Sequence, residues 1–540
     1  MKNTKESCAI LIFLCFLVYA NSLNGEFVSD DIEAIVKNPA IAQPRHYLFN
    51  PPMLLSSFCY LIGRLNPFAY HLINVILHAI TSLLAFVFLR QLFQTETAFW
   101  GAAIFAVHPI HAEAVSWISG RGHLFFGFSV FLLYIVYQYS KKNHLYYIVS
   151  VLGFFYIAYK NLSLNIFFPF LLVLSDVLFG QWRNNWKRWV PFFAILVLVI
   201  IMGRVAVVER VNQVAKEIGL GGDVWRDISQ WTNPIYNMTF SFFEHLKLIA
   251  WPDKLTLYHE PPVITRVALN WEMFFLGMIF ISALVAFFLK KAKELIFALG
   301  IYLIFLSPTY SPIMVSWLVA ERYAYFPSIA FSILLCFLYE RYVKPKIYPQ
   351  TVKLTTRDLE AYKIMQKRRK IASIMLTALL AMYSVRTVIR NEDWKTPRRL
   401  WGSTAEVSFN SPRAHNNMGD VYAKEGNMQG AINEFKKAIE LKPDYADAYH
   451  NLANIYQYIG NLKEAIENYR QAIALNPGLF ESHYNLGVIY LNTNNPKDLD
   501  LAIGHFQRAL EIRPSDSQTL NALFIALTKR SKSGDSSPPM

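Results

Sequence analysis

Runs of about twenty apolar residues, each long enough to cross a bilayer core, recur up to Arg390 and stop after Pro412. No other feature constrains the fold as strongly. Inside lipid such a segment must satisfy its own backbone, so each run is expected to be a helix. About eleven spans are expected from the pattern. They lie near 8–23, 71–92, 97–108, 123–140, 144–159, 162–179, 188–206, 271–289, 295–309, 323–343 and 371–389. The stretch 234–250 is apolar but broken by Glu244, His245 and Lys247, which predicts an interfacial helix. Composition agrees: 54% of the 540 residues are hydrophobic, against about 45–50% in soluble domains.

Charge sets the orientation. Lys2 and Lys5 precede the first span, Lys141-Lys142 follow the fourth, Arg183, Lys187 and Arg188 follow the sixth, and Lys290, Lys291 and Lys293 follow the eighth. Ten Lys or Arg stand between Arg341 and Lys370, against Asp358 and Glu360. If these clusters are cytoplasmic, the N-terminus is inside, and an odd span count puts the C-terminus outside. The formal net charge of +14 is then a topology signal, and no nucleic-acid partner is expected. The basic N-terminus has no small-residue cleavage site before Asp30, so the first helix is read as retained. Cys8, Cys15, Cys59 and Cys336 form no CxxC pair, so neither a disulfide framework nor a zinc site is expected.

This topology places four polar stretches on the non-cytoplasmic face. They are the first loop, 24–70, with Asp30-Asp31; His108 to Arg121; the loop 207–270, with Trp251-Pro252 and Tyr258-His259-Glu260; and Ala320 to Ser328. Adjacent carboxylates against a low-dielectric surface tend to have raised pKa values and can act as bases. The alternative is a solvated loop whose aspartates cap a short helix. Sequence alone does not rank Asp30 against Asp31. His108 and His111 suit a structural role as well as a ligand role, and without a third ligand no metal is expected.

After Pro412 the chain repeats every 34 residues. Gly419, Tyr422, Ala431, Phe435, Ala438 and Pro443 are matched by Ala453, Tyr456, Ala465, Tyr469, Ala472 and Pro477. Gly487, Tyr490, Ala502, Phe506, Ala509 and Pro514 follow, after an insertion near Asn495. Small residues let paired helices approach, and rings fill the space between them. The pattern resembles the tetratricopeptide repeat. The expected division is a membrane domain over 1–390, a lead-in helix and linker over 391–411, repeats at 412–445, 446–479 and 480–516, a capping helix to 530, and a disordered tail over 531–540. Asn417, Asn451 and Asn485 occupy one equivalent position. Stacked repeats would align them along a concave groove, where amides could hold an extended peptide backbone. Alternatively they bond neighbouring backbone and fix repeat geometry.

Phe27 to Pro39, His71 to His78, His108 to Arg121 and Glu321 to Ser328, followed by the repeats, together resemble the transmembrane and tetratricopeptide-repeat O-mannosyltransferases and their bacterial relatives. The resemblance covers nearly the whole chain. It implies an all-α fold: a polytopic GT-C-like helix domain followed by a repeat solenoid. It also implies a glycosyltransferase whose donor is a polyprenyl-phosphate-linked sugar and whose acceptor is a protein or peptide. In that reading Asp30 or Asp31 is the general base in the first external loop, and direct displacement inverts the anomer. Arg121 and Arg322, backed by His108 and His111, would meet the leaving phosphate. Glu113 would orient a histidine or bind the sugar, and Glu321 would belong to the same donor phosphate and sugar site. The alternative is that Glu321-Arg322 is an interface ion pair and that Arg121 snorkels to headgroups. The chain departs from the family pattern at Asn50-Pro51-Pro52, where an Arg-Pro pair is common, and at His123, where an acidic residue is common. A bacterial inner membrane with periplasmic repeats fits the short loops; an endoplasmic reticulum membrane with lumenal repeats is the alternative. Two other functions compete, a membrane-anchored repeat scaffold and a lipid-linked sugar transporter. Eleven spans exceed what an anchor needs, and the internal repeats and mid-membrane charges of transporters are not evident.

Overall fold

The computed structural model describes residues 4–140, 143–160, 166–217, 234–259, 277, 292–310, 318–343, 356–493 and 495–532. Among these, every regular element is helical. Packing divides the chain into two units: 1–203 with 233–400, and 204–232 with 401–540.

The first unit contains α1 (Thr4–Tyr19), α2 (Pro51–Gly63), α3 (Pro67–Leu89), α4 (Thr95–Ala106), α5 (Ala112–Ser116), α6 (Arg121–Tyr139), α7 (His144–Lys160), α8 (Phe168–Leu178), α9 (Trp182–Glu217), α10 (Pro234–Ala250), α11 (Lys293–Leu306), α12 (Ile329–Tyr342) and α13 (Thr356–Asp393). Helices stand at ten of the eleven expected spans, and 271–289 lies outside the described residues apart from Gly277. Five helices are long and apolar enough to cross a membrane: Thr4–Asn24, Pro67–Leu89, Arg121–Tyr139, Trp182–Met202 and Tyr362–Asp393. Others fall short of the bilayer core, and α4 does so at the same length as its expected span, 97–108. The 12 residues of α4 rise about 18 Å at 1.5 Å each, against a core of about 30 Å. The cause is local: Pro109 offers no N–H, and the His108 side chain caps the next turn by accepting from Ile110 N at 3.2 Å. Likewise α12 begins only at Ile329, because Pro327 and the 3₁₀ turn Glu321–Ala324 precede it.

Helix α3 packs against α1, α4 and α6. Aromatic rings fill the core edge to face: Phe305 and Phe326 lie 4.6 Å apart, and Phe131 and Phe326 4.9 Å. Gly127 admits Tyr325, since a Cβ there would stand 2.7 Å from that ring. The first loop leaves α1 through a 3₁₀ turn, reverses at Ser29 (φ 53°), and makes a single π-helical turn at Ile32–Val36. Asn50 then caps α2, accepting from Met53 N at 3.4 Å, with Pro51 at the first helical position.

Helix α14 (Pro397–Val407) leads into the second unit. That unit pairs α15 (Pro412–Lys424) with α16 (Met428–Leu441), α17 (Ala446–Tyr458) with α18 (Leu462–Leu475), and α19 (Phe480–Leu491) with α20 (Pro496–Ile512), ending on α21 (Ser517–Lys532). Gly426 and Gly460 make the turns within the first two pairs, both at φ 81°, a region that favours glycine. Phe435, Tyr469 and Phe506 are buried between the paired helices. The asparagine row has a specific structure. Asn451 Nδ2 donates to Asn416 Oδ1 at 3.1 Å, and Asn485 Nδ2 donates to Asn454 Oδ1 at 3.0 Å and Tyr469 Oη at 3.2 Å. Two of the three amides thus tie their repeat to side chains of the repeat before; Asn417 is engaged as well.

A Cβ on Gly487 would lie 2.7 Å from Phe506 Cε1, whereas one on Gly504 meets nothing within 4 Å. Gly487→Ala should therefore destabilise the repeats by about 1–3 kcal/mol, and Gly504→Ala should be neutral or stabilising by up to about 1 kcal/mol. Limited proteolysis of the repeats in the full-length, detergent-solubilised chain checks both.

Candidate functional site

The four polar stretches meet through named hydrogen bonds. The first loop joins the second through Asp31. Its Oδ1 accepts from Ser119 N at 2.8 Å and Ser119 Oγ at 2.5 Å, while Oδ2 accepts from Val28 N at 3.1 Å. Asp31 is wholly buried, and burial pushes its carboxyl up to about 6, against the downward pull of the Ser119 and Val28 bonds and of nearby Arg121. Asp30, one residue earlier, is exposed and is met by Ser29 Oγ at 3.5 Å. The two aspartates therefore have different environments: one tethers the loop, and the other faces solvent.

The second stretch joins the fourth through Glu113. One carboxylate oxygen accepts from Arg322 N at 2.8 Å, and the other pairs with Arg322 Nη1. Glu113 has no exposure and Arg322 retains 8%. The Arg322 guanidinium lies 5.6 Å from the Trp117 ring and 5.0 Å from Tyr323. His111 Nε2 lies 2.8 Å from Ser328 Oγ and 3.1 Å from Tyr325 O. The second stretch joins the third region through His108, whose Nε2 donates to Ile249 O at 2.8 Å while Nδ1 accepts from Ile110 N. Both imidazoles are buried.

Arg121 is anchored at three nitrogens. Nε donates to Asn74 Oδ1 at 2.6 Å, Nη1 to Ser56 Oγ at 2.7 Å and Nη2 to the Tyr70 carbonyl at 2.9 Å. Asn74 in turn donates to the Val115 and Trp117 carbonyls at 3.1 and 3.2 Å. Glu321 is engaged by Arg390 rather than by Arg322: Nη2 donates at 2.8 Å and Nε at 3.3 Å, while Arg390 Nη1 reaches Asp393 at 2.8 Å. The alternative reading, a pair between adjacent Glu321 and Arg322, gives way to two parallel pairs, because neighbours in the 3₁₀ turn Glu321–Ala324 point to different sides.

Two contributors, Arg390 and Asn391, were not singled out from the sequence. Arg390 and Asn391 look there like the end of a span, yet both are buried. Asn391 accepts from Ser116 Oγ at 2.9 Å and donates to Val18 O and Asn21 Oδ1, each at 3.0 Å. Their signal is an Arg-Asn-Glu-Asp run closing an apolar helix. His259 holds Nε2 3.9 Å from Glu321 and Nδ1 4.0 Å from Glu244. Among the described residues, no cluster of three or more His, Cys, Asp or Glu is placed to hold a metal.

A family model described as TPR repeat matches residues 419–460 and 453–494. Over 82% of this chain, 24% of aligned residues are identical to Protein O-mannosyl-transferase TMTC3 of Mus musculus, covering 52% of that protein. Protein O-mannosyl-transferase F38B6.6 of Caenorhabditis elegans matches at 24% over 81% of this chain and 63% of its own. A shorter alignment, 25% of this chain and 17% of the other, reaches 34% identity with Protein O-mannosyl-transferase TMTC1 of Mus musculus. The chain thus spans 52% of the length of the first of these relatives and 63% of the second.

Asp31 yields a pH prediction. Its pKa is raised on folding, so the native state holds that proton more tightly than the unfolded chain does. Its contribution is present below the ordinary carboxylate range and is lost as pH rises through about 6. The rise from 3.8 to about 6 corresponds to about 3 kcal/mol at 1.36 kcal/mol per pH unit. Between pH 4 and about 6, Asp31→Asn should flatten part of the wild-type fall in stability; thermal melts in detergent across that window check it. For the buried pair, Glu113→Ala should cost about 3–5 kcal/mol by leaving Arg322 uncompensated. Joining it to Arg322→Met should cost less than the sum, measured in the same melts.

Proposed function

We propose that this chain, a relative of the transmembrane and tetratricopeptide-repeat O-mannosyl-transferases along four fifths of its length, transfers mannose or another hexose from a polyprenyl-phosphate donor to a protein hydroxyl. The observation that carries the reading is the asymmetry of the aspartate pair. A buried Asp31 fixes the loop to Ser119, and that leaves the neighbouring carboxylate of Asp30 exposed where four polar stretches converge. Asp30 is the proposed general base and takes the acceptor's hydroxyl proton as oxygen attacks the anomeric carbon. The bond to the donor phosphate breaks on the opposite side, and the anomer inverts.

The departing phosphate needs a cation that is not already saturated. Arg322 fits better than Arg121. It keeps some exposure and is held by one carboxylate between two rings, whereas Arg121 is anchored at three nitrogens. Arg121, His108, His111, Glu113 and Glu321 are then positioning residues. They hold the converging stretches in place rather than touch the sugar. The repeats are proposed to bring the acceptor. With their amide N–H groups turned to the preceding repeat, Asn451 and Asn485 offer carbonyl oxygens to a peptide's N–H groups. The membrane is proposed to be a bacterial inner membrane, with the site and the repeats on the periplasmic side.

The test is sugar transfer in membranes from cells expressing wild type, Asp30→Asn or Asp31→Asn at equal levels. Asp30→Asn should reduce added glycan mass on acceptor proteins by about 10²–10⁴-fold with melting unchanged. Asp31→Asn should lose transfer only together with stability. A wild-type glycan profile from Asp30→Asn overturns the assignment.

A further inference from the structure

Helix α13 carries a second feature at its other end. Lys370 precedes Arg390 by twenty residues, a rise of about 30 Å. That distance equals the apolar thickness of a bilayer. If Arg390 marks one headgroup layer, Lys370 lies in the other, away from the site described above. There, Gln366, Arg369, Lys370, Ser373, Thr377 and Ala381 are among the residues that line an open groove of about 670 Å³.

Lys370 lines the groove, and Lys363 and Lys367 stand on the two helical turns before it. Lys363, Lys367 and Lys370 follow one another at helical spacings of four and three, and Ile374, Thr377 and Ala381 continue the same line. All three lysines are exposed, and among the described residues none has an ion-pair partner. Arg369 is turned towards Glu96, which accepts from its Nη2 at 2.7 and 2.5 Å and from Tyr339 Oη at 3.1 Å. That node pins the basic turn of α13 to α4 and α12 and fixes which face points outward. Below the lysines the floor is made of Ser373, Thr377 and Ala381, which leave a shallow trough, while Ile374 is 59% exposed beside it. Only 11% of the membrane-crossing window of α13 is buried within the protein.

We propose that this groove binds an anionic diacyl phospholipid. Its phosphate meets Lys367, Lys370 and Gln366, and one acyl chain lies along Ser373, Thr377 and Ala381. Three unpaired ammonium groups at one headgroup layer attract anionic lipid electrostatically, and their long stems reach the interface while the helix stays in the core. Charge favours this occupant over a partner helix, which would use the small residues and leave the lysines unmatched. The bound lipid holds α13 at a set depth, and α13 carries Arg390 to Glu321 at its far end.

The test is native mass spectrometry of the full-length chain in detergent, titrated with phosphatidylglycerol or phosphatidylcholine of matched acyl chains. Phosphatidylglycerol should survive activation that strips phosphatidylcholine. Lys363→Gln/Lys367→Gln/Lys370→Gln should lower its retention about tenfold, to the phosphatidylcholine level. Thr377→Trp, which fills the trough and keeps the charges, should lower retention of both lipids, so the proposal is still tested if the triple variant misfolds. Equal retention of the two lipids, or wild-type retention in both variants, overturns it. Competition by soluble glycerol phosphate as strong as by the lipid would make this an anion site only. A dimer broken by Thr377→Trp, with lipid retention unchanged, would make it a helix interface. Either result overturns the lipid assignment.

Discussion

Two carboxylates with no exposure, Glu113 and Glu321, stand beside each other's loops, and the arrangement of this region depends on how they are neutralised. An unpaired buried charge costs several kcal/mol, so each must capture a cation. Glu113 takes Arg322 and Glu321 takes Arg390. These captures set the course of the backbone. The first holds the Glu321–Ala324 turn against α5, and the second holds the end of α13 against that same turn. The turn's two charged residues are thereby drawn to opposite sides. One carries a guanidinium that retains a little exposure, and the other has a carboxylate closed off by a bidentate arginine. The pairs are weak evidence for added stability, since well-packed apolar groups could replace them. Their effect is on specificity: each pairing leaves a single register in which both charges are satisfied.

The same logic separates Asp30 from Asp31. Three donors converge on Asp31, from Ser119 and Val28, and they hold it in a site from which water is excluded. Those bonds do not fully offset the desolvation, so the carboxyl titrates near 6. A group held this way is a poor proton acceptor for an incoming hydroxyl, because its oxygens already face protein donors. Its neighbour gains from that cost. With Asp31 anchored and Ser29 in a left-handed conformation, the loop turns Asp30 outward on a fixed backbone. Preorganisation of one carboxylate is bought with burial of the other.

Much of this was legible in the sequence, and the limits have physical causes. The helical class, the repeat period and the loops that converge follow from apolar run length and from 34-residue spacing. Helix ends were less legible. An apolar run reads as one span even where His108-Pro109 or Pro327 halts the helix early, since hydropathy is blind to lost N–H donors. Partner choice was not legible at all. Glu321-Arg322 reads as a neighbouring ion pair, and only the fold shows that Arg390, sixty-eight positions after Arg322, takes the carboxylate. The asparagine row was read to its position but not to its bonds. Periodicity aligns Asn451 with Asn485, while the choice of Asn416 and Asn454 as acceptors depends on how the repeats stack.

The basic residues illustrate a different limit. Counted along the chain, Arg121 and Arg322 are two cations near one face, each suited to a phosphate, and the fold adds Arg390. In the fold they differ by how many of their donors are already engaged. Arg121 donates to Asn74, Ser56 and Tyr70, and Arg390 to Glu321 and Asp393. A guanidinium so engaged adds little to an incoming anion, because each new bond must break an existing one in a low-dielectric setting. Arg322 has a single carboxylate partner and two flanking rings. Rings stabilise a cation without consuming its N–H donors. With Glu113 and the Tyr323 side chain as its hydrogen-bond partners, Arg322 keeps a little exposure that Arg121 and Arg390 lack, and the proposed phosphate role rests on that difference.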